Sequence, residues 1–545
     1  MNKVAHYLQE HLVGEVMIGS DARNYFSTDG SVLKIEPSII VYPRNENDVR
    51  KATRFTWQLA ERGRIIPITA RGSGTDQSGA ALGSGIMLVF PAHMNRILEL
   101  DNKNGGVIVE PGINFGKLQQ ALHTHNRFLP PYPASMEYST IGGAVGNNAS
   151  GERSFKYGST RNFVRELRVV LANGEVIETH RLSKRELNKK LGLASYEGEI
   201  YRTLDSLIED NKELISEMAP KVSKNSSGYA INEIKRKDGS FDLSPLFVGS
   251  QGTLGIVTEI QFDTEPYNPH STLVLALCDD WQVAEQAIQD INKMGELPSA
   301  LEAVDAKLLD MVQKNNSNLL KDVLTPPFPK LVLLIEFDNI SDRQQKKLAK
   351  KVLKILNKYQ ITSKIEEDSA RQEELWKVRH SAASLAGLDE TGAKALPIIE
   401  DGIVPLDKFQ EFVQAVYNLF EINGLQAAIW GHAGNANLHV QPFLNLAKVG
   451  DRQKVFRLMD DYYNLVLSMG GSISAQHGDG RIRAPYLEKQ FGPEVYELFK
   501  KVKQIFDPYS TLNPGVKLGT SIDDVKQILR GDYSMSHFYD HMPRS

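Results

Sequence analysis

RGSGTDQSGAALGSG occupies residues 71–85, between two short apolar runs, Ile65–Ile68 and Ile86–Val89. Its glycine and serine content is too high for a helix or a strand, so it reads as a loop joining buried strands. Such loops bind phosphates, because backbone N–H groups converge on an anion where no Cβ intervenes. Two more follow: IGGAVGNNASGERSFKYGS at Ile141–Ser159 and VGSQGTLG at Val248–Gly255. No stretch reads GxxxxGK[ST], and none reads GxGxxG between a strand and a helix, so the two familiar nucleotide motifs are absent. Three Gly-rich loops in one half of the chain fit an extended diphosphate cofactor lying across all of them.

Working outward, Ile39–Tyr42 reads as a strand and Glu46–Glu61 as a helix. Leu167–Leu171 and Val176–Thr179 pair across Asn173-Gly174, a hairpin signal, and Ile256–Phe262 alternates as a strand should. TEPYNPH (residues 264–270) marks a boundary. Beyond it, strand STLVLALC, helix Trp281–Lys293 and a strand near Ala300–Ala303 precede a similar cycle: Leu331–Phe337, Asp342–Tyr359, Ile361–Ile365. Strands alternating with helices in this way predict an α+β layer with an antiparallel sheet. Further helices are expected over Ala370–Leu388 and Leu406–Ile422. In the lysine-rich segment, Leu348, Val352, Ile355, Leu356 and Tyr359 share one helical face, which predicts an outer helix packed on a sheet; membrane-surface binding through the basic face is the alternative. The expected divisions are an N-terminal helical segment (1–34), a cofactor domain (35–268), a substrate domain (269–518) and a tail (519–545).

Composition narrows the function. The 545 residues carry a formal charge of -4, with no basic excess for binding nucleic acid. One cysteine, Cys278, excludes a disulfide framework, a zinc finger and an iron–sulfur cluster ligated by this chain alone. The opening MNKVAHYLQEHLVGEVMIGSD has no continuous apolar segment for export, and no run reaches the ~18 apolar residues of a membrane span. A cytoplasmic protein, or one peripheral at the inner face of the membrane, is the expectation.

His432 follows the apolar run Ala427–Trp430, and in NLHVQ the polar Asn437, His439 and Gln441 alternate with Leu438 and Val440. If that stretch is a strand, the three polar groups share one face. With the later pair Gln476-His477, these histidines form a candidate site, since imidazole suits both a zinc- or manganese-type ion and proton abstraction.

RGSGTDQSGAALG, VEPGINFGKLQQAL, TIGGAVGNNASG, KYGS and GSQGTLGIVTE together resemble the FAD domain of the vanillyl-alcohol oxidase superfamily. LWKVRH, GHAGNANLHV, SISAQHGDGR and LNPGVK are similar to its D-lactate/D-2-hydroxyglutarate dehydrogenase branch. The likeness covers roughly residues 20–518, and so many motifs in one order are specific. It implies a two-part FAD-binding domain followed by an α+β substrate domain. FAD would rest on Arg71, Gly72, Ser73, Gly74, Thr75 and Ser78, then on Pro133, Ser135, Gly142, Gly143, Asn147, Ser150, Gly151 and Tyr157. Gly252 and Ile256 would close the adenine side, with Asn513 returning to the flavin. No His or Cys stands in RGSGTDQSG, so the flavin is expected to be noncovalent.

The resemblance also implies that Arg379 binds a substrate carboxylate, that His432, His439 and Gln441 contact the substrate, and that His477 is the catalytic base. The family's metal would fall on His432, His439 and position 476, where a Glu is replaced by Gln476, putting metal binding in doubt. Several relatives carry a substrate-binding lysine where this chain has Ile399, with Lys394 close by. The implied reaction is oxidation of a D-2-hydroxy acid to the 2-oxo acid. The alternatives are a noncatalytic flavin subunit of a larger redox complex and an oxidase using O2. With Cys278 as the one cysteine, the electron acceptor would be a separate iron–sulfur protein, an electron-transfer flavoprotein or a quinone. The tail's Tyr533, His537, Phe538, Tyr539 and His541 suit a strap on the chain's own surface or a docking contact.

Overall fold

A computed structural model describes residues 2–315, 318, 320, 324–381 and 393–534. Four strands, Glu15–Met17, Ile39–Tyr42, Ile86–Val89 and Ile68–Arg71, lie side by side in that order. The last three run parallel and the first is antiparallel to its neighbour. IIVY and IMLV are buried throughout, as continuous apolar runs in a parallel sheet should be. The Glu46–Ala60 helix packs Val49 and Ala52 against this layer and starts where the Asn45 side chain accepts from Asp48 N.

Two expectations change here. The strand begins at Ile68, not Ile65, because Ile68 is the first residue to pair with the Ile86–Val89 strand, and Ile65 is left 58% exposed. The N-terminal segment is not helical throughout, since Glu15–Met17 extends the sheet.

A five-stranded antiparallel sheet follows, ordered Ile97–Asp101, Gly106–Val109, Ile256–Asp263, Val164–Val170, Val176–Thr179. Its central strand carries the third Gly-rich loop to the edge of the first sheet. The second Gly-rich stretch is more regular than expected, forming short helices Ile141–Asn147 and Ser154–Tyr157. The Thr140 hydroxyl accepts from Gly143 N and starts the first of them despite its glycines.

The second half is a seven-stranded antiparallel sheet, ordered Thr362–Glu366, Thr272–Cys278, Leu331–Phe337, Ala300–Asp305, Ala427–His432, Asn437–Leu444, Lys394–Ala395. Alternation puts Val274 and Ala276 in one core with Ile288, Leu348 and Phe412, and Leu273 and Leu275 in another with Leu308, Val312 and Leu375. The lysine-rich helix Asp342–Lys358 buries Leu348, Ala349, Val352 and Leu356 on this sheet, the outer-helix reading. The helix expected over 370–388 runs Ser369–Ser381; its last residues lie outside the described residues.

The two halves are clasped together. Arg153 pairs with Asp338 at 2.7 Å and Glu336 at 2.9 Å, and Lys156 reaches Asp338 at 2.8 Å. The tail returns to the N-terminal segment, where Arg530 Nε donates to Leu33 O and the Tyr533 hydroxyl to Gly30 O. That is the strap reading for Tyr533, while His537, Phe538, Tyr539 and His541 lie outside the described residues.

Candidate active site

The three Gly-rich loops and the histidine strands open on one cleft of about 500 Å3 between the halves. The amides of Gly72, Ser73, Gly74 and Thr75 donate to no group among the described residues, a run of free N–H groups suited to a diphosphate. Gly74 takes φ +76°, and a Cβ there would stand 2.2 Å from Arg71 Nη2. Arg71 itself donates to the carbonyls of Phe26, Thr28 and Ala81, so its guanidinium shapes the loop from behind. Pro133, Ser135, Gly142, Gly143, Asn147, Ser150 and Gly151 form a second wall, Gly252 and Ile256 a third.

Three expected cofactor residues stand outside the lining. Ser78 is buried, donating to Asp76 and accepting from Gln251. Tyr157 turns to Asp338 in the clasp between the halves. Asn513 donates to Ala80 O and Gln251 O, each at 2.8 Å, tying two walls together. These three support the walls and do not face the cleft.

At the other end the cleft is lined by Arg379, Trp430, His432, His439, Gln441, Gln476 and His477. The Asn437–Leu444 strand places His439 and Gln441 on one face, as expected, but Asn437 is diverted into a bond with Gly402 O. The Gln441 amide has no hydrogen bond among the described residues although the residue is only 8% exposed. His477 Nδ1 donates to Glu400 at 2.7 Å, leaving Nε2 with no partner among the described residues at the cleft. Arg483 also holds Glu400, at 2.6 Å. Burial works to lower the His477 pKa, but the Glu400 and Asp401 charges outweigh it and raise it above its ordinary value. Arg379 donates from Nε and Nη2 to Glu302, so it is paired yet buried at the cleft, with Nη1 free among the described residues. Ile399 is buried in the core and Lys394 turns to Tyr533 O, so neither brings a lysine to the cleft.

The protons around Gln476 can be assigned from their partners. His432 Nδ1 faces Glu302 at 2.7 Å and His439 Nδ1 faces Glu400 O at 3.0 Å, so both Nδ1 atoms carry hydrogen and both Nε2 atoms are bare acceptors. Burial, against the pull of Glu302, pushes His432 down to about 3. Gln476 Nε2 stands 3.1 Å from His432 Nε2 and 3.2 Å from His439 Nε2, with one amide hydrogen for each. Gln476 Oε1 accepts from Lys224 at 2.8 Å and Ser150 at 2.7 Å. Lys224 also donates to the oxygens of Ser150 and Ser154, whose own hydrogens are spent on Gln476 and Asn435. Burial pushes Lys224 down to about 7, while the Gln476, Ser150 and Ser154 oxygens, 2.8–3.2 Å from Nζ, favour the ammonium. A divalent metal does not fit this arrangement, because the third group presents N–H to the place an ion would take. Among the described residues no three His, Cys, Asp or Glu side chains are grouped to hold a metal. Asp479, two residues beyond His477, points away to Ser227, Gly228 N and Lys517.

Residues 37–180 match the FAD binding domain, and residues 267–516 match the C-terminal domain of FAD linked oxidases. Glycolate oxidase subunit GlcD of Bacillus subtilis (strain 168) is 30% identical over 486 residues, covering 88% of each chain. The chain belongs to the FAD-linked oxidases. This FAD-linked oxidase is also 31% identical over 533 residues to D-2-hydroxyglutarate dehydrogenase of Escherichia coli (strain K12), covering 94% of this chain. It spans about half the length of that relative, 51%. D-lactate dehydrogenase of Archaeoglobus fulgidus is 28% identical, covering 92% of this chain and 96% of its own. The fold is shared with 4-ethylphenol oxidase from Gulosibacter chungangensis, at TM-score 0.67, 15% identity and coverage of 96% and 98%. Domain match and free loop amides together identify FAD as the cofactor. No helix among the described residues is long and apolar enough to cross a membrane.

Sequence reasoning missed Glu302, Glu400, Asp401, Lys224 and Arg483. A signal existed for Glu302, a charged residue amid the apolar positions of the wholly buried strand ALEAVD. Glu400 and Asp401 sit in a stretch read only for its missing lysine, and nothing around Lys224 announces its partners.

Proposed function

We propose that this chain oxidises a D-2-hydroxy acid, of the D-2-hydroxyglutarate or D-lactate type, to the 2-oxo acid. The observation that carries the reading is the His477–Glu400 pair at the cleft, one nitrogen fixed on a carboxylate and the other without a partner among the described residues. Such a pair takes a hydroxyl proton in an oriented geometry. FAD, when bound, supplies the two-electron acceptor for the hydride leaving Cα. Arg379 binds the carboxylate through Nη1, with Glu302 fixing the plane of its guanidinium. Gln441 and the His432–His439–Gln476 centre face the substrate oxygens. The relatives named as D-2-hydroxyglutarate, D-lactate and glycolate enzymes support the same substrate class.

FAD is held noncovalently on this reading, since neither His nor Cys stands in residues 71–79. On this reading the electrons pass on to an iron–sulfur protein, an electron-transfer flavoprotein or a quinone. The test is anaerobic mixing of the FAD-loaded protein with a panel of D- and L-hydroxy acids. Bleaching of the flavin by D-acids is expected. A flavin that no hydroxy acid reduces would instead mark a noncatalytic electron-carrying subunit, and peroxide formed at the turnover rate would mark an oxidase.

A further inference from the structure

Beyond the hydroxy-acid oxidation proposed above, and resting on it, lies the question of what stabilises charge on the substrate oxygen as its proton leaves. A divalent ion needs lone pairs directed at it. Here two imidazole lone pairs and one NH2 group meet at the corners of a triangle with sides of 3.1, 3.2 and 3.4 Å, and the NH2 corner presents hydrogen where an ion needs a lone pair. Turning the amide over would offer oxygen to an ion, but it would set NH2 against the Lys224 ammonium and the Ser150 hydroxyl hydrogen. Buried donors facing donors lose their hydrogen bonds and are costly. Lys224 has only neutral partners, Ser150, Ser154 and Gln476, and forms no ion pair among the described residues.

We propose that the His432–His439–Gln476 centre works with no divalent cation, and that the Lys224 ammonium, acting through the Gln476 amide, supplies its positive charge. Lys224 is a positioning residue: its bond to Oε1 fixes the amide, polarises the N–H groups and holds both imidazoles as acceptors. Gln476 and both histidines line the cleft, so the Lys224 charge lies one amide group behind that wall. The hydroxyl proton passes to His477 Nε2, and the Lys224 charge offsets the negative charge left on the oxygen.

The test compares the FAD-loaded protein with Gln476→Glu, Lys224→Met and the double variant. Metal per flavin is measured by elemental analysis and zinc affinity by calorimetry, without substrate. The unaltered protein should carry far less than one metal per flavin, and chelation should leave its flavin-reduction rate unchanged. Gln476→Glu should gain a zinc site, and adding Lys224→Met should tighten it at least about tenfold by removing a like charge. Lys224→Met alone should slow flavin reduction roughly a hundredfold at full FAD content; Lys224→Gln serves if the Met variant loses FAD. One zinc per flavin in the unaltered protein, with reduction abolished by chelator, overturns the proposal. So does a zinc affinity of Gln476→Glu that is indifferent to Lys224. Because zinc binding is read without substrate, a panel of inert hydroxy acids would sink the oxidation reading and leave this result standing.

Discussion

Glu400 does two things at once: its carboxylate orients His477 through Nδ1, and its charge raises the pKa of the same ring above the ordinary 6.5. Only the neutral imidazole accepts a proton, so the flavin-reduction rate at low substrate should fall as pH drops through that raised value and level off above it. Glu400→Gln removes the charge and should move this limb toward acid; a limb that does not move separates His477 from the proton transfer. His477→Asn should lower the rate about 10²–10⁴-fold with FAD retained. Arg379→Ala should weaken hydroxy-acid binding by about 2–5 kcal/mol, the scale for truncating one partner of a buried charge pair. Unchanged KM and kcat would take Arg379 out of the site.

The first Gly-rich loop shows how an element can be chosen for what it leaves unbonded. Its amides have no partner among the described residues, and the Arg71 side chain, anchored on three carbonyls, holds the turn open from behind. Gly74→Ala meets both a positive φ and the Arg71 guanidinium. It should cost about 1–2 kcal/mol in backbone strain. FAD retained through gel filtration should drop while far-ultraviolet circular dichroism is unchanged. Full FAD content in that variant would show that the loop does not depend on this turn. The Asn437–Leu444 strand teaches the complementary lesson. Alternation predicted three polar groups on one face, and only His439 and Gln441 reach the cleft, since Asn437 satisfies Gly402 O.

Across the molecule, the cleft exists because two separately patterned halves are clamped. Asp338 gathers Arg153, Lys156 and Tyr157, and the partner groups sit on the second Gly-rich stretch itself. Asp338→Ala leaves Arg153 with one acidic partner and should cost about 3–5 kcal/mol, read as a lower Tm together with weaker FAD retention. An unchanged Tm would mean the clasp is dispensable. Deleting residues 532–545 removes the Tyr533–Gly30 bond and should lower Tm as well. Loss of acceptor coupling at unchanged Tm would instead favour a docking role for the tail.

Local chemistry was legible from sequence alone: glycine runs that cannot be helix or strand, apolar runs that must be buried, an Asn-Gly hairpin, and polar–apolar alternation around His439. Those features are set by bonds within a few residues, so the Gly-rich loops suited to a diphosphate cofactor, the α+β layer and the candidates His432, His439, Gln476 and His477 could be read in order along the chain, while FAD itself came from the family resemblance. The partners could not. Glu302 meets Arg379 and His432 across 77 and 130 residues, and Lys224 meets Gln476 across 252. Whether position 476 offers an oxygen or an N–H to the imidazoles depends on which donors surround its far side, and only the folded chain brings Lys224 and Ser150 there. A side chain's type is local, but the direction of its hydrogen bonds is decided by neighbours that the tertiary structure alone assembles.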